Sequence, residues 1–463
     1  MLAPCLCSFY YGEVEAYAFL LSAALVLVVS MVAYKKTEPT GVALQKEVFC
    51  TVAFGWLLAA LFGSLPYLIS GTFVSFADAF FETMSGFATT GATVLADVES
   101  LPRGILFWRS MTHWLGGMGI IVLFVALLSS LGTGGEKMFL AESPGGSILT
   151  KLTPRISDSA KILWGIYLIL TIAEIILLFL FGMPIYDAVC HTFSNVSTGG
   201  FSVRNGSIGF YGSPQLEWVI IIITFLAGAN FALYYRSVRE KSLAPLPRNS
   251  EFRLYSLIIV LASVLIAYNL YTNAQSGFGD AIRQAAFQVV SIVTTTGFVT
   301  ADYNQWPFIS VTIMFMLMFL GGCAGSTSGG VKIGRILVMF KQTILELRHQ
   351  IHPRAVIPLK IDGEVVEQEK VMTILQFFFV YTALILVGVF FMAFQGLDFV
   401  TALTAVAAAL GNVGPGLGAV GPASNFGFIS DTGKYFLSFY MLIGRLELFT
   451  VLVLFLPSFW RKE

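Results

Sequence analysis

The chain is poor in charge for its length. Only 12% of its 463 residues are charged, whereas a typical soluble domain carries about a quarter. Hydrophobic residues make up 56%, more than one soluble core could hide, so the composition predicts a polytopic membrane protein. Basic and acidic residues both number 27. This zero net charge gives no reason to expect a nucleic-acid partner.

Cysteine and histidine, the usual ligands of structural metal sites, are scarce. The five cysteines are scattered, and their spacing fits neither a disulfide framework nor a zinc site. The pair Cys5 and Cys7 is too weak a pattern to predict a metal site. Of the four histidines, His349 and His352 fall in a basic loop, where we expect them to be solvated. We therefore expect no tightly bound cofactor.

Long apolar stretches are frequent, and four short ones alternate with them. A spanning helix takes about 20 residues. The short segments each run into a turn rich in Thr and Gly, and irregular backbone survives at membrane depth only where protein or water surrounds it. They are therefore predicted to be re-entrant, near 76–88, 185–197, 280–294 and 398–410. Full spans are predicted near 16–33, 50–70, 105–131, 160–182, 216–235, 254–272, 307–346, 371–394 and 434–458.

Lysine and arginine are concentrated in every second loop. By the positive-inside rule these loops are cytosolic, and all four re-entrant segments open on the outside. The basic loops are 34–46, 134–161, which includes Arg155, 236–253, 332–370 and 459–463. Residues 1–12 look like the tail of a helix rather than a signal peptide, so a span preceding this start could be missing.

The four turns align with one another. They read Ser85-Gly-Phe-Ala-Thr-Thr-Gly91, Ser194-Asn-Val-Ser-Thr-Gly-Gly200, Ser291-Ile-Val-Thr-Thr-Thr-Gly297 and Ala408-Ala-Leu-Gly-Asn-Val-Gly414. Recurrence roughly every 100 to 117 residues indicates internal duplication. An aspartate near the start of each short helix is expected to cap it; these are Asp78, Asp187, Asp280 and Asp398.

The turns have the chemistry of a cation site. A short helix that enters from outside points its partially negative C-terminus into the membrane. Glycine permits backbone conformations in which successive carbonyls face one axis, and threonine hydroxyls add oxygen ligands. Four such turns, which contain no Asp or Glu, could form rings of uncharged oxygens that replace the hydration shell of a cation.

In these motifs, and over nearly its whole length, the chain resembles the TrkH/KtrB family of potassium transporters, and its TrkH branch in particular. The resemblance implies an all-α polytopic membrane protein with four concatenated helix–pore-loop–helix repeats around a pseudo-fourfold ion pore, plus an extra N-terminal helix segment. We place that segment at 1–48 and the repeats at 49–135, 136–245, 246–350 and 351–463.

The resemblance also implies the residues that coordinate potassium. They map onto three positions of each turn: Thr89, Thr90, Gly91, Thr198, Gly199, Gly200, Thr295, Thr296, Gly297, Asn412, Val413 and Gly414. The fourth turn departs from Thr-x-Gly, so the filter need not be fourfold symmetric.

The second helix of repeat 3 is interrupted by a Gly- and Ser-rich run at 321–330. Each interior glycine costs a helix about 1 kcal/mol relative to alanine, so we expect an unwound segment that lines a cavity below the turns. In the family such a loop is the intramembrane gate; a flexible kink without gating is the alternative. The predicted gate residues are Gly321, Gly322, Ala324, Gly325, Ser326, Thr327, Gly329, Gly330, Lys332 and Arg445.

Arg445 is an intramembrane charge and therefore a functional hypothesis by default. The resemblance places it across from the gate loop, where it would hold the loop or repel cations; a structural pair with Glu447 or with loop carbonyls is the alternative. We interpret Arg109 and Glu174, also within or near spans, as packing partners, and the glycines at 116–119 as a close helix contact.

The first functional hypothesis is a multi-pass pore subunit of the cell membrane (the inner membrane if the source is Gram-negative), with the potassium ion as its substrate. The resemblance implies a homodimer in lipid, bound to cytosolic nucleotide-binding regulatory subunits of the TrkA type. A KtrB-like or sodium-coupled transporter is the alternative, although the helix at 16–33 favours the TrkH branch. An intramembrane enzyme has less support, because His191 and Ser194 have no obvious third catalytic member. Channel-like and ion-coupled transport both stay open.

Overall fold

The computed structural model describes residues 1–37, 45–119, 156–273, 277–355 and 357–461. Within these ranges the protein is almost entirely helical, with one small antiparallel hairpin of Lys360–Ile361 and Glu364–Val365. Five described helices are long and apolar enough to cross a membrane, and two bent helix pairs raise the figure to seven. The predicted all-α polytopic fold is confirmed.

Two helices precede the repeats, Leu2–Tyr11 and Ala16–Lys36. The carboxylate of Glu13, between them, accepts hydrogen bonds from the N–H groups of Arg103 (2.6 Å) and Gly104 (2.9 Å). These are N-terminal groups of a helix and have no partner within it. The N-terminal segment is thereby anchored on repeat 1.

Each repeat contributes a first helix, a short pore helix and a second helix. The first helices are Gln45–Gly63 (extended by Leu65–Ile69), Ile156–Leu180, Ser250–Asn273 and Gln368–Phe394. The pore helices are Phe76–Phe87, Ile185–Val196, Phe278–Val293 and Phe399–Gly411. The second helices start with Arg103–Gly117, Pro214–Ala227, Phe308–Leu317 and Asp431–Arg445. Short 3₁₀ or α segments at Ser207–Tyr211, Pro245–Arg248, Tyr303–Gln305, Gly418–Val420 and Pro457–Trp460 complete the connections.

The pore helices are too short to span the bilayer. They contain 12 to 16 residues, which at 1.5 Å per residue is about 18 to 24 Å, against roughly 30 Å of hydrocarbon. Each ends at one of the four turns. The first helices, in contrast, keep apolar side chains on their outer faces; Leu257, Val260 and Val264 are all about 60% exposed, as suits contact with lipid.

Only one of the four predicted aspartate caps is present. Asp398 accepts from the N–H of Thr401 at 3.1 Å, whereas the first pore helix is capped by the hydroxyl of Ser75. The prediction is wrong for the other three, which lie in the first turn and form ion pairs instead. The pairs are Asp78 with Lys434, Asp187 with Arg204, and Asp280 with Arg283.

Two second helices predicted as continuous spans are broken. In repeat 2, Pro214–Ala227 is followed by Phe231–Glu240 at an angle of 89°, because Asn230 caps a new helix by accepting from the N–H of Ala232. In repeat 4, Asp431–Arg445 is followed by a segment starting at Phe449, bent by 115°. Glu447 and Leu448 there have φ of 59° and 58°, which no α-helix accommodates.

The second helix of repeat 3 is interrupted as predicted. It resumes after the 321–330 run as Ile333–Ile351. The part of the predicted 105–131 span beyond residue 119, and the 134–161 loop up to residue 155, with Arg155, lie outside the described residues. The repeat boundaries at 49–135, 136–245, 246–350 and 351–463 stay predictions.

Candidate ion pathway

The four turns share one backbone conformation. Each pore helix ends, and two of the next few residues adopt left-handed φ, which a residue with a side chain rarely does. The residues two positions before the turn glycine have φ of 52–59°: Thr89, Thr198, Thr295 and Asn412. The turn glycines have φ of 79–96°: Gly91, Gly200, Gly297 and Gly414. The sequence alignment therefore equates positions that are equivalent in space.

The turns close into a ring. A Cβ on Gly91 would strike the carbonyl oxygen of Gly199 in the next repeat. The same relation continues around the molecule: Gly200 abuts the carbonyl of Thr296, Gly297 that of Val413, and Gly414 that of Thr90. The contacts run through repeats 1, 2, 3 and 4 and return to 1, and each carbonyl belongs to the residue before a turn glycine. Four backbone carbonyls thus occupy equivalent positions around one axis.

The fourth turn differs from the other three, as its sequence indicates. The side-chain amide of Asn412 donates to the hydroxyl of Thr90 (2.9 Å) and to the carbonyl of Met441 (3.0 Å). Asn412 is buried. In all four turns the residues directly before and after the left-handed residue are buried as well. The amide ties the turns of repeats 4 and 1 together where a threonine would leave a hydroxyl, so the ring is only approximately fourfold.

All four turn glycines open on one outer cavity of about 210 Å³. Two arginines line it, and both are paired: Arg109 with Glu82 (2.6 Å) and Arg204 with Asp187 (2.9 Å). Their guanidinium charges are thereby offset beside the mouth of the ring. Beyond them, the amide of Asn205 lowers the pKa of the exposed Asp97 by hydrogen bonding.

The 321–330 run is a loop closed at its neck. The N–H of Gly321 donates to the carbonyl of Val331 (2.8 Å), and the N–H of Ile333 to that of Gly322 (3.1 Å). Within the loop, the Ser328 hydroxyl accepts from the Gly322 N–H (3.0 Å) and lies 2.6 Å from the hydroxyl of Ser326. Gly325 and Gly330 have left-handed φ values of 73° and 63°, and a Cβ at any of the other three glycines of the run would strike a backbone carbonyl oxygen.

The loop lies directly against the turns. The N–H of Gly329 donates to the hydroxyl of Thr295 (2.7 Å), and a Cβ at Gly329 would lie 2.6 Å from the carbonyl of Gly411. The hydroxyl of Thr327 donates to the carbonyl of Val196 at the end of the second pore helix (3.0 Å). The loop therefore contacts the turn segments of three repeats.

The break in repeat 2 serves this loop. The carbonyl of Gly228 accepts from the N–H of Cys323 (2.9 Å), and the N–H of Phe231 donates to the carbonyl of Gly325 (3.1 Å). A continuous helix would keep both groups in its own ladder. The break was not predicted, because its reason is a contact with a distant segment.

Two buried basic side chains hold the loop. Arg445 donates to the carbonyls of Thr327 (2.9 Å) and Gly117 (2.7 Å), and Lys332 donates to the carbonyl of Ser328. Arg445 thus bridges the loop and repeat 1, as in the alternative that gave it loop carbonyls as partners. Glu447 forms an ion pair with Arg335.

The glycines at 116–119 have a second role that the sequence did not suggest. The predicted close contact is present, since a Cβ on Gly116 would strike the carbonyl of Phe87. In addition, the carbonyls of Gly116 and Gly117 accept from Arg445. Because glycine has no side chain, the backbone carbonyls of Gly116 and Gly117 are also accessible to the buried guanidinium of Arg445.

Glu251 is the main residue that sequence reasoning missed. Its carboxylate, 7% exposed, accepts from the N–H groups of Ala324 (2.7 Å) and Gly334 (2.9 Å). It thereby joins the loop to the helix that follows it. An acidic residue at the start of an apolar span was visible in the sequence, but its partners lie more than 70 residues away.

Comparison with known proteins identifies the family. The model of the TrkH family, described as a cation transport protein, matches residues 16–462. The Trk system potassium uptake protein TrkH of Salmonella typhimurium is 39% identical over 469 residues, covering all of this chain and 96% of the relative. The Vibrio parahaemolyticus TrkH is 41% identical over 426 residues, covering 90% of this chain and 87% of the relative.

The solved structures agree. The crystal structure of the potassium transporter TrkH from Vibrio parahaemolyticus matches with a TM-score of 0.88 at 37% identity, covering 99% of this chain and 96% of that one. The chain belongs to the TrkH family of cation transport proteins. This confirms the resemblance on which the repeat architecture was predicted.

In this TrkH-family protein the histidine and the serine considered for an intramembrane enzyme are not paired with each other. His191 contacts the hydroxyl of Ser202 through Nε2 and the carbonyl of Asp187 through Nδ1, so it is not paired with Ser194. Within the described ranges, no group of three His, Cys, Asp or Glu side chains could hold a metal ion. Glu174 packs as predicted, accepting from the amide of Asn195 (2.6 Å).

Proposed function

We propose that this protein is the potassium-translocating pore subunit of a Trk-type uptake system in a cell membrane, with potassium as its substrate. The closed ring of four equivalent backbone carbonyls carries the proposal. Such rings replace the hydration shell of potassium with uncharged oxygens, whereas divalent cations are usually held by carboxylates. The relatives named as potassium uptake proteins support the same ion.

The filter would consist of the twelve turn residues predicted from the sequence. The inward oxygens would be the backbone carbonyls of Thr90, Gly199, Thr296 and Val413, the four that the ring contacts make equivalent. Loss of a turn glycine would be damaging for two reasons. Its φ is left-handed, and its neighbour's carbonyl fills the space of a Cβ.

The 321–330 loop would be the gate of this pathway. It lies against the turns, and three separate contacts hold it there: Gly329 with Thr295, Thr327 with Arg445, and Ala324 with Glu251. Ion passage would require the loop to leave the axis, so these contacts stabilise the closed state.

A cytosolic partner has a direct route to this gate. Asp362, in the cytosolic hairpin, accepts from the N–H of Ser250 (2.9 Å) and the amide of Asn249 (3.1 Å). The next residue is Glu251, which holds the loop. A partner that displaces the hairpin would therefore move the carboxylate that anchors the gate. By family membership we propose a homodimer in lipid with TrkA-type nucleotide-binding subunits as that partner.

Cation flux into liposomes tests this function. We expect the reconstituted protein to pass potassium and rubidium well above sodium and lithium, and Gly297→Ser to reduce that selectivity. Gly396→Ser is the matched control, because Gly396 has a similarly left-handed φ of 92° with no atom within 4 Å of a Cβ. Flux without selectivity would withdraw the potassium assignment, and no flux with the partner subunits present would contradict the pore itself. Opposing proton or sodium gradients in the same vesicles separate channel-like from coupled transport.

A further inference from the structure

Each turn continues outward into a short stretch that we call its outer arm, the residues two and three positions after the turn glycine. The arms are residues 93–94, 202–203, 299–300 and 416–417. We propose that four pore-helix side chains, Glu82, His191, Gln288 and Thr404, are positioning residues that hold these arms and thereby set the discrimination between potassium and sodium. The inference rests on the proposed function and concerns residues outside the twelve filter positions.

In repeat 1 the holding group is a fully buried carboxylate. Glu82 accepts from the hydroxyl of Thr93 (2.9 Å) and from the N–H of Val94 (3.0 Å). Arg109 donates to the same carboxylate at 2.6 Å. A buried carboxylate is stable only when it is paired and hydrogen-bonded. Here Arg109 supplies the ion pair and the outer arm supplies hydrogen-bond donors.

In repeat 2 the holding group is an imidazole. His191 donates through Nδ1–H to the carbonyl of Asp187 (2.8 Å), which leaves Nε2 to accept from the hydroxyl of Ser202 (2.9 Å). The oxygen of Ser202 in turn accepts from the N–H of Arg204 (2.9 Å). The ring orientation is therefore fixed at both nitrogens, and the outer arm is one of the two partners.

Repeats 3 and 4 make the contact with neutral groups. The amide of Gln288 donates to the hydroxyl of Thr300 (3.3 Å). In repeat 4 the equivalent position is the apolar Ala405, and the preceding residue takes over. The hydroxyl oxygen of Thr404 accepts from the N–H of Leu417 (3.0 Å), and its single proton lies within reach of the carbonyls of Leu417 (3.0 Å) and of Val400 in its own helix (2.8 Å).

The register shows that these contacts are one feature repeated four times. Glu82, His191 and Gln288 each stand nine positions before their turn glycine, and Thr404 stands ten before Gly414. Three different side chains reach the outer arm from the same place on the helix. What the repeats share is therefore the contact itself, a tether from the rigid pore helix to the backbone just beyond the filter.

The tethers of repeats 1 and 2 are also joined to each other. Arg109, bound to Glu82, donates to the carbonyl of Ser202 (2.9 Å), and its guanidinium carbon lies 3.5 Å from the centre of the Phe201 ring. A cation filter discriminates by the size of its cage and by the number and field strength of its carbonyls. If an outer arm were mobile, a filter carbonyl could move toward the axis and coordinate the smaller sodium ion. The tethers would restrict that movement and so disfavour sodium relative to potassium.

Thr404 allows the cleanest test. Thr404→Val keeps the shape and removes the hydroxyl that accepts from the N–H of Leu417 in the arm, while Thr404→Ser keeps that hydroxyl. The matched control is Thr83→Val: Thr83 is also buried in a pore helix, but its hydroxyl donates to the carbonyl of Ala79 in its own helix (2.6 Å). We expect Thr404→Val to lower the potassium-to-sodium permeability ratio in liposomes about three- to tenfold, with Thr404→Ser and Thr83→Val close to wild type.

A second variant guards against misfolding. Gln288→Leu removes the tether of repeat 3 with little change in volume, and should lower the ratio if Thr404→Val fails to elute as a folded protein on size exclusion. A selective wild type whose ratio is unchanged in every folded tether variant would overturn the positioning role and leave the pore assignment intact. A wild type with no preference among cations would instead overturn the proposed function.

Discussion

The backbone N–H of Gly329 donates a 2.7 Å hydrogen bond to the hydroxyl of Thr295. Thr295 is a left-handed residue of the third turn, with φ of 59°, and Gly329 belongs to the 321–330 loop. The proposed gate is thus bonded to the proposed filter through the side chain of Thr295, with no third residue between them. Any movement of the loop off the axis must break this bond, so the state of the gate and the local order of the third turn are coupled.

The first prediction removes the acceptor of that bond. Thr295→Val keeps the branched shape but leaves the buried N–H of Gly329 without its partner, which costs about 1–3 kcal/mol. The closed loop should lose that stabilisation, so partner-free potassium flux in liposomes should rise about fivefold or more. Thr312→Val is the control, because that hydroxyl donates to the carbonyl of Phe308 in its own helix. Equal flux in both variants would contradict the coupling.

The second prediction concerns Arg445. Its guanidinium reaches the carbonyls of Thr327 and Gly117 at the same time, which the single ammonium of lysine cannot do with the same forked geometry. Arg445→Met should therefore raise partner-free flux, and Arg445→Lys should raise it less. Arg348→Met, at an exposed site on the helix Ile333–Ile351, provides the comparison. A flux below that of wild type in Arg445→Met would argue that the arginine holds the pathway open.

The third prediction concerns Glu251. Hydrogen bonds to a carboxylate are roughly twice as strong as those to a neutral amide, so Glu251→Gln should weaken the anchor at Ala324 and Gly334 without removing it. We expect a moderate rise in partner-free flux and a smaller further response to the partner subunits. Glu346→Gln, at an exposed site on the helix Ile333–Ile351, should change neither the partner-free flux nor the response. A variant that keeps the full response to the partner would disconnect Glu251 from gating.

The sequence was informative where the structure depends on local chemistry. The turns repeat because left-handed backbone favours particular residues. Glycine adopts it without steric cost, so Gly91 and Gly297 indicate a left-handed position from the sequence alone. The same reasoning located the unwound loop at Gly321. It failed for Asp78, because a serine three positions earlier competes for the role of cap and because Lys434, distant in sequence, recruits the carboxylate.

Contacts between repeats could not be predicted from the sequence, because the groups that they pair are far apart along the chain. Glu251 and the break at Gly228 have no local signature, since each exists to satisfy groups of the 321–330 loop. The tether at Glu82 also has no local sequence signal, because the contact forms only when the chain brings Thr93 back against the pore helix. A single sequence predicts conformations that a residue prefers, but it does not pair distant polar groups.

The last prediction concerns the seam where repeat 4 meets repeat 1. The ammonium of Lys434, 6% exposed, lies 2.6 Å from the carboxylate of Asp78, whose side chain is 25% exposed. The pair joins the second helix of repeat 4 to the first pore helix and so closes the ring of repeats. Lys434→Met would leave the carboxylate largely unpaired, and we expect the melting temperature in detergent to fall by roughly 2–5 °C.

The double variant separates the pair from its parts. A partly exposed ion pair contributes less than a buried one, and most of the penalty in Lys434→Met should come from the unpaired charge of Asp78 rather than from lost attraction. Adding Asp78→Asn should therefore recover most of the lost melting temperature, although it removes the second half of the pair. If the double variant melts at least as far below wild type as Lys434→Met alone, the seam depends on the lysine's own packing, and the ion pair is not what closes the ring.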